Sequence, residues 1–456
     1  MNSNSYSSHF KSTFLLAYPV VISQVGHMVV NITDTIFIGH LGAVKLAACS
    51  LGISIFAVFM VLGIGISYGL TPLIAQAFGA KDNTHCGKFL INALALNILT
   101  GILIAAGIYV MANHLDIFGQ EKMVIEQAKP FLQIIGASMI PLMVFLSFKQ
   151  FAEGLSFTRQ AMVITLLADG FNVLLTYGLI NGKFGLPRME LVGAGIANFI
   201  SRALMALLMM YYVLNSKKVK PYIKSFALKY INIGDFKAIF KLGLPSAFQY
   251  LFEVGAFSVA AIMMGWFGAS YQSAHQIAIN IAATTYMAAT GIAAATSVRV
   301  GNSLGEKNYP KLMRAGMTGY YMVLIFMGTT ALLLLASNRI LPSYYINDGL
   351  VTQIASQLLI IAAFFQLSDG VQVIGLNALR GMTDVKIPTL ITFISYWVIA
   401  IPLSYYLGFY TGLKANGIWI GLSVGLTISA VLLYFRFRKS AKRLIFANTH
   451  LTEAIV

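Results

Sequence analysis

The sequence has few charged residues. Of its 456 residues only 10% are charged, while 58% are hydrophobic, and the acidic residues number 15. Soluble globular chains carry roughly 25% charged residues. The composition therefore excludes an ordinary cytosolic enzyme, a disordered chain and a fibrous repeat, and it indicates a membrane protein.

Cysteine and catalytic motifs are scarce as well. Cys49 and Cys86 cannot form a disulfide scaffold, and the topology predicted below places them toward opposite membrane faces. The seven histidines are scattered, with no HExxH pair, and the chain has no P-loop. We therefore expect neither an enzyme nor ATP-driven transport.

Long hydrophobic runs are the dominant feature that is present. Crossing about 30 Å of hydrocarbon takes roughly 20 apolar residues in a helix, against about 9–11 in a barrel strand. Twelve runs are long enough, and no signal peptide is expected before the first of them. We predict an all-α integral membrane protein with twelve transmembrane helices. The predicted spans are residues 14–38, 46–75, 89–112, 131–148, 161–180, 191–214, 238–265, 272–298, 315–336, 351–377, 388–410 and 416–437.

The excess of positive charge predicts the orientation. The chain has 31 Lys and Arg and a net charge of +16, which in a soluble protein would suggest nucleic acid. Here the basic residues gather on alternate loops, including the lysines from Lys217 to Lys241. Since cytoplasmic loops are enriched in Lys and Arg, we predict that both termini are cytoplasmic, and we predict no nucleic-acid partner.

The two halves of the chain repeat. A shift that pairs Pro19 with Pro245 also pairs many glycines. Each half has six predicted spans, an even number, so both copies insert the same way up, as in several secondary transporters. We predict an N-lobe at 1–214, a cytoplasmic linker at 215–237, a C-lobe at 238–437 and a cytoplasmic tail at 438–456. Further identical pairs are Gly39 with Gly265, Gly65 with Gly291, Gly79 with Gly305 and Lys81 with Lys307.

Ionisable residues inside spans are energetically costly and usually functional. Asp34, Glu253 and Asp369 lie in predicted spans 1, 7 and 10. Their counterparts in the other repeat carry no carboxylate, which indicates that the fold forms without one. We interpret these three as functional. Asp169 and Arg202, in spans 5 and 6, are possible auxiliary site residues, or they pair with each other as a structural contact.

Polar residues near Asp34 suggest a cation site. Asn172 and Thr176 are four residues apart and share a helix face, and Asn198 lies at a similar depth in span 6. One carboxylate with amide and hydroxyl oxygens suits Na⁺ or a proton better than a transition metal. Because either ion removes the charge that would hold an organic cation, the pattern predicts exchange of a coupling ion for a cationic drug.

Several motifs together resemble one known family. They cover nearly the whole chain, and their combination is similar to the multidrug and toxic compound extrusion (MATE) transporters. Glu253 with Asp369 resembles the NorM-like bacterial branch. The motifs are Pro19 with DTIFIGHLG at 34–42, QAFGA at 76–80, Glu153-Gly154, Asn172 with GKFGLP at 182–187, Pro245 with Glu253, and QLSDG at 366–370 with LRGMTD at 379–384.

The resemblance implies a fold and an activity. It implies two parallel six-helix bundles forming a V-shaped central cavity, in a bacterial inner membrane and active as a monomer. It implies alternating-access export of amphipathic, mostly cationic organic compounds in exchange for Na⁺ or H⁺, with no cofactor beyond that ion. The nearest alternative is a lipid-linked oligosaccharide flippase of the same superfamily. A flippase would favour a cationic cavity for pyrophosphate, whereas the deep charges here are mainly acidic.

The resemblance also implies site residues. It carries an N-lobe cation site, with Na⁺ at Asp34, onto Asp34, Asn172, Thr176 and Asn198. The chain departs from the family at Thr176, where other members have Asn or Asp, and it adds Asp169. A C-lobe site for cation or drug falls on Glu253 and Asp369. Aromatic and Met side chains that line the cavity, or that only pack in the core, are Phe248, Tyr250, Phe252, Tyr286 and Met287.

Overall fold

The computed structural model describes residues 6–453, and side chains as far as residue 448. Within that range the chain is helical and contains no strand. Twelve helices are long and apolar enough to cross a membrane, and each predicted span lies inside one of them. The all-α, twelve-span prediction is therefore confirmed. Residues 1–5 of the predicted N-lobe and 454–456 of the predicted tail lie outside the described residues.

The twelve helices are numbered here in chain order. Most extend beyond the apolar run that predicted them, because their ends continue into polar residues. Helix α12 continues as a helix to Glu453. The bounds are α1 Tyr6–Gly39, α2 Ala43–Gly79, α3 Asn83–Ala112, α4 Lys122–Gly154, α5 Thr158–Asn181, α6 Glu190–Asn215, α7 Ile233–Trp266, α8 Ala269–Gly305, α9 Tyr309–Ser337, α10 Gly349–Gly381, α11 Lys386–Tyr410 and α12 Lys414–Asn448.

The backbone repeats as the sequence does. Helices α2 and α8 follow glycines with almost the same left-handed conformation, Gly42 with φ 106° and Gly268 with φ 110°. Glycine suits this conformation because it has no Cβ. Asp82 and Asn308, also repeat counterparts, cap α3 and α9, since each side chain accepts a bond from a backbone N–H three residues on, at 3.0 and 3.1 Å.

Three of the spans are interrupted. Helix α2 breaks after Ser67 and resumes at Leu70, and α11 contains a π-helical segment at Ile394–Ala400. Helix α4 begins earlier than predicted and breaks at Ser138, between Ala137 and Met139. At this break the Ser138 hydroxyl donates to the Ile135 carbonyl at 2.6 Å, and its oxygen accepts the contact described below.

The chain forms two compact units, each with its own apolar core. The N-terminal unit is Ile22–Ala247, and the C-terminal unit joins the chain up to Val21 with the chain from Phe248 onward. These bounds differ from those predicted for the lobes because α1 and α7 each pass from one unit into the other. The two crossing points, after Val21 and after Ala247, are repeat counterparts.

A glycine packs against each crossing point. In the N-terminal unit a Cβ on Gly65 would lie 2.3 Å from the Cα of Ala247, and in the C-terminal unit a Cβ on Gly291 would lie 2.8 Å from the backbone nitrogen of Val21. Real side chains do not approach so closely. The paired glycines therefore let α2 contact α7, and α8 contact α1, backbone to backbone.

The linker between α6 and α7 is ordered against the N-terminal unit. It contains two short 3₁₀ turns. The Asn92 side chain in α3 accepts from the backbone N–H of Asn232 at 2.9 Å and donates to the Tyr230 carbonyl at 3.1 Å. Because α7 begins at Ile233, the linker ends earlier than the predicted 215–237.

Candidate functional site

The N-terminal unit contains a cavity of about 270 Å³ bounded by α1, α2, α4 and α6. Its wall is mixed, with apolar side chains such as Phe56 and Phe131 beside a set of polar ones. Asp34 and Arg202 give this small space one acidic and one basic group. The polar side chains of the wall are His27, Asn31, Asp34, Thr35, Asn198 and Arg202.

The Asp34 carboxylate is buried and only partly hydrogen-bonded. Its side chain is 8% exposed, and one oxygen, Oδ2, accepts from Asn198 Nδ2 at 3.3 Å. The other oxygen, Oδ1, has no hydrogen-bond partner among the described residues. Because a buried polar atom without a partner is costly, the carboxylate fits a bound proton or small cation.

The other predicted N-lobe residues lie close to Asp34. Thr176 lies beside the carboxylate, and its hydroxyl donates to Asn172 Oδ1 at 3.4 Å. Both residues are buried in α5. The structure thus brings together side chains from α1, α5 and α6, and their oxygens are the type of donor that Na⁺ accepts.

Asp169 and Arg202 do not pair with each other, so that interpretation was wrong. Asp169 Oδ1 lies 3.3 Å from Nδ1 of His27 on α1. Arg202 instead contacts α4 and α2, since its guanidinium donates to Ser138 Oγ at 2.6 Å and lies 4.8 Å above the Phe56 ring. The break in α4 positions the serine, and hydropathy does not predict such a break.

The C-terminal unit brings Glu253 and Asp369 together. They lie on α7 and α10, are 8% and 5% exposed, and are close enough to interact electrostatically. Tyr286 donates a hydrogen bond to Glu253. Tyr396 also faces both carboxylates, and its hydroxyl bonds to Gln372 at 2.9 Å.

Neither of these carboxylates has a basic partner within the described part of the chain. Among the described residues no Lys, Arg or His nitrogen lies within 4.0 Å of Glu253 or Asp369. Arg380, further along α10, donates to Gln249 at 3.1 Å and lies 5.7 Å from the Tyr250 ring. The pair is therefore an acidic centre with Tyr286 and Tyr396 beside it.

The five predicted aromatic and Met residues separate into two groups. Tyr286 lies beside the acidic pair, and Tyr250 lies close to Tyr286. Phe248, which is 39% exposed, stacks on Phe252 with ring centroids 5.8 Å apart. Phe252 also packs against a phenylalanine of α11. Met287 is half-buried, and its carbonyl accepts from Thr290.

The sequence reasoning missed several site residues, which include His27, Asn31 and Thr35 in the cavity wall and Tyr396 beside the acidic pair. His27 had a signal, because the repeat aligns it with Glu253. Tyr396 had none, since nothing in its spacing connects it to the carboxylates.

The sequence reasoning also overlooked one match to a catalytic motif. Residues 65–69, Gly-Ile-Ser-Tyr-Gly, have the GxSxG spacing of a hydrolase nucleophile. That motif needs a turn from strand to helix, whereas Ser67 ends a helical segment. Its hydroxyl donates to the Ile64 carbonyl at 2.7 Å, and the residue is fully buried. The match is a helix break, not a nucleophile.

Comparison with known proteins shows likeness over nearly the whole chain. The MatE family model matches twice, at residues 19–178 and 245–406, which follows the internal repeat. A probable multidrug resistance protein NorM of Bacillus anthracis is 32% identical over 98% of this chain and 99% of that protein. A protein with the same description from Xylella fastidiosa is 31% identical over 96% and 94%.

Solved structures share the fold. A crystal structure of a Vibrio cholerae MATE transporter has a TM-score of 0.89 at 18% identity, covering 97% of this chain and 99% of that chain. At that identity the likeness concerns the fold alone.

Proposed function

Because the chain belongs to the MATE family, we propose that it is a secondary active multidrug efflux antiporter. It exports amphipathic, mostly cationic organic compounds in exchange for Na⁺ or H⁺ by alternating access. The chain is a multi-pass membrane protein with twelve helices long enough to span. We place it in a bacterial inner membrane with both termini in the cytoplasm, acting as a monomer.

The unfilled oxygen of Asp34 is the observation that carries this proposal. A buried carboxylate with one free oxygen gains from binding a proton, Na⁺ or an organic cation. These ligands compete because each neutralises the same charge. When the coupling ion binds, the drug loses its electrostatic partner and is released, and this competition is the basis of exchange.

The acidic pair in the C-terminal unit supports the same proposal. Two buried carboxylates that interact, without a basic partner among the described residues, favour a cationic ligand between them. The tyrosines around them offer ring faces, which attract organic cations. We assign Glu253 and Asp369 to cation or drug binding, with Tyr250 and Tyr286 in the wall.

The flippase alternative is not supported. The relatives above carry the description of multidrug resistance proteins. The two sites hold three buried carboxylates, Asp34, Glu253 and Asp369, against the one buried arginine that lines the cavity, Arg202. A pyrophosphate carrier would need the opposite balance.

Transport in liposomes tests the proposal. We would load vesicles with ethidium, impose Na⁺ and pH gradients separately, and follow the dye by fluorescence. Wild-type protein should release dye when one of the two gradients is imposed. Asp34→Asn should reduce that release by about tenfold or more, the loss expected when a charge-assisted contact is removed.

The control variant is Asp116→Asn, since Asp116 is an exposed carboxylate in the short 3₁₀ turn after α3 and does not line the cavity. It should retain most of the efflux. An ethidium efflux rate that does not depend on either gradient would contradict antiport. An equal loss of efflux in both variants would show that Asp34 has no specific role in coupling.

A further inference from the structure

The guanidinium of Arg202 is a buried charge of the N-terminal cavity to which the proposed function assigns no role. The residue is 8% exposed and lines the cavity. Among the described residues no carboxylate oxygen lies within 4.0 Å of it. A buried arginine without a carboxylate partner is costly, because its desolvation is not offset by an opposite charge.

The contacts of Arg202 hold it in place without neutralising it. Ser138 accepts one hydrogen bond at 2.6 Å, and the Phe56 ring lies 4.8 Å beneath the guanidinium. A guanidinium has five N–H donors in a planar fork. Ser138, which is neutral, is the one acceptor that the described residues give Arg202. The fork therefore stays available to a bidentate oxyanion, which it matches in shape.

The arginine is close to the carboxylate site. Arg202 is one helical turn, about 6 Å along the axis, from Asn198, which donates to Asp34 at 3.3 Å. In the cavity of about 270 Å³, one ligand could therefore contact both the Arg202 guanidinium, which binds anions, and the Asp34 carboxylate, which binds cations. Ligand pockets usually measure roughly 300–1,000 Å³, so this space suits the charged end of a larger compound.

We propose that Arg202 forms an anion subsite that binds the carboxylate of zwitterionic compounds, whose cationic group lies toward Asp34. This inference rests on the proposed function, and it adds the substrate class. Ser138 is a positioning residue, since it acts on the ligand through the guanidinium. Compounds with a free carboxylate should therefore bind better than their esters in a way that depends on Arg202.

A matched pair of dyes tests the proposal. Rhodamine 110 carries a free carboxyl group, and rhodamine 123 is its methyl ester, so the two differ mainly in that one charge. We would measure binding of each to the purified full-length protein by fluorescence polarisation. Arg202→Gln should weaken rhodamine 110 binding by about tenfold or more, the loss expected for a charged hydrogen-bonded contact. It should change rhodamine 123 binding less than about twofold.

Three further variants make the result specific. Arg202→Lys keeps the charge without the fork, so it should recover only part of the rhodamine 110 affinity. Ser138→Ala should weaken rhodamine 110 alone. Arg299→Gln is the control, since Arg299 is also partly buried but bonds to His9 and Thr13 in the other unit. It should leave the ratio of the two affinities unchanged.

The outcomes separate this inference from the proposed function. Unchanged binding of the ester by Arg202→Gln shows that the variant is folded. Equal losses for both dyes, or no loss for either, would overturn the anion subsite while leaving cation export intact. Wild-type protein that binds neither dye would count against the export function and would overturn this inference with it.

Discussion

At the scale of single residues, the molecule carries two acidic centres of different design. Asp34 is a lone carboxylate with amide and hydroxyl neighbours, whereas Glu253 and Asp369 share one site. A lone carboxylate changes by one unit of charge when it binds a cation. A close pair changes in two linked steps, since each group feels the charge of the other.

This difference predicts coupled effects for Glu253 and Asp369. Glu253→Gln and Asp369→Asn should each reduce ethidium efflux, and the double variant should lose less than the sum of the two. Residues in direct interaction typically show coupling of about 0.5–3 kcal/mol. Efflux rates of the four proteins, measured under the same gradient, give the coupling.

Asp34→Asn combined with Glu253→Gln is the control cycle. The two residues lie in different units, so we expect their effects to be close to additive. Additive losses for Glu253 with Asp369 would contradict a shared site.

Sequence reasoning identified the carboxylates, with Asn198 and Thr176 near Asp34, but not the partners of Asp169 and Arg202. Asp34, Glu253 and Asp369 were identified because charged residues are rare inside membrane spans, and because the counterpart of each in the other repeat is not a carboxylate. The partner of Asp169 was predicted wrongly, because helix adjacency does not say which face a side chain takes. Side-chain contacts such as Arg202 with Ser138 depend on packing that no local pattern encodes.

At the scale of elements, close helix contacts depend on paired glycines. Gly65→Ala would place a methyl group 2.3 Å from the Ala247 backbone. The helices would have to separate, at a cost of about 1–3 kcal/mol by analogy with overpacked cores. We expect a clear drop in the thermal unfolding temperature in detergent.

Gly328→Ala is the matched control, since an added Cβ there meets nothing within 4 Å. Alanine is the better helix former by about 1 kcal/mol, so this variant should be as stable as wild type or more so. Equal stability of Gly65→Ala and wild type would contradict the backbone contact between α2 and α7.

The start of α3 gives a prediction for pH. The backbone N–H of His85 donates to Asp82 and lowers the pKa of this loop carboxyl below its usual value. The stabilisation is complete above the unfolded pKa of about 4, and it is lost as the pH falls through the lowered folded pKa.

Substitutions at Asp82 separate capping from charge. Asp82→Ala should destabilise the helix start by about 1 kcal/mol at neutral pH, whereas Asp82→Asn should retain the cap and remove its share of the acid sensitivity. Unfolding temperatures at neutral and acidic pH check both. An Asn variant as unstable as the Ala variant at neutral pH would show that capping is not the role of Asp82.

The elements themselves were the most predictable level. Every span was found from hydropathy, because crossing a bilayer demands one long apolar run for each helix. The interruptions at Ser138 and in α11 were not found, since a broken helix and a straight one have the same hydropathy.

At the scale of the whole molecule, the repeat organises the two units. The shift that pairs Pro19 with Pro245 predicted a duplicated six-helix unit, and the MatE family model matches each copy separately. The sequence did not predict that the first parts of α1 and α7 belong to a different unit from the rest of each helix. The long hydrophilic linker at 215–237 indicated instead that the units divide there. Packing of α7 on α2 decides where its first residues belong.

The two units are copies of one fold, but their acidic centres differ, and this difference is the central functional feature. Each unit contains a buried acidic centre, but the centres occupy different positions in the repeat, since Asp34 aligns with Ala260 and Glu253 with His27. We therefore expect the two units to perform different parts of one transport cycle.

The most direct test of coupled exchange is the reverse flux. Vesicles would hold an outward ethidium gradient and no ion gradient, and entry of Na⁺ or H⁺ would be followed with an ion-sensitive dye. An antiporter must use the drug gradient to move its coupling ion uphill, and Asp34→Asn should abolish that movement. Ethidium efflux without uphill movement of either ion would contradict the account.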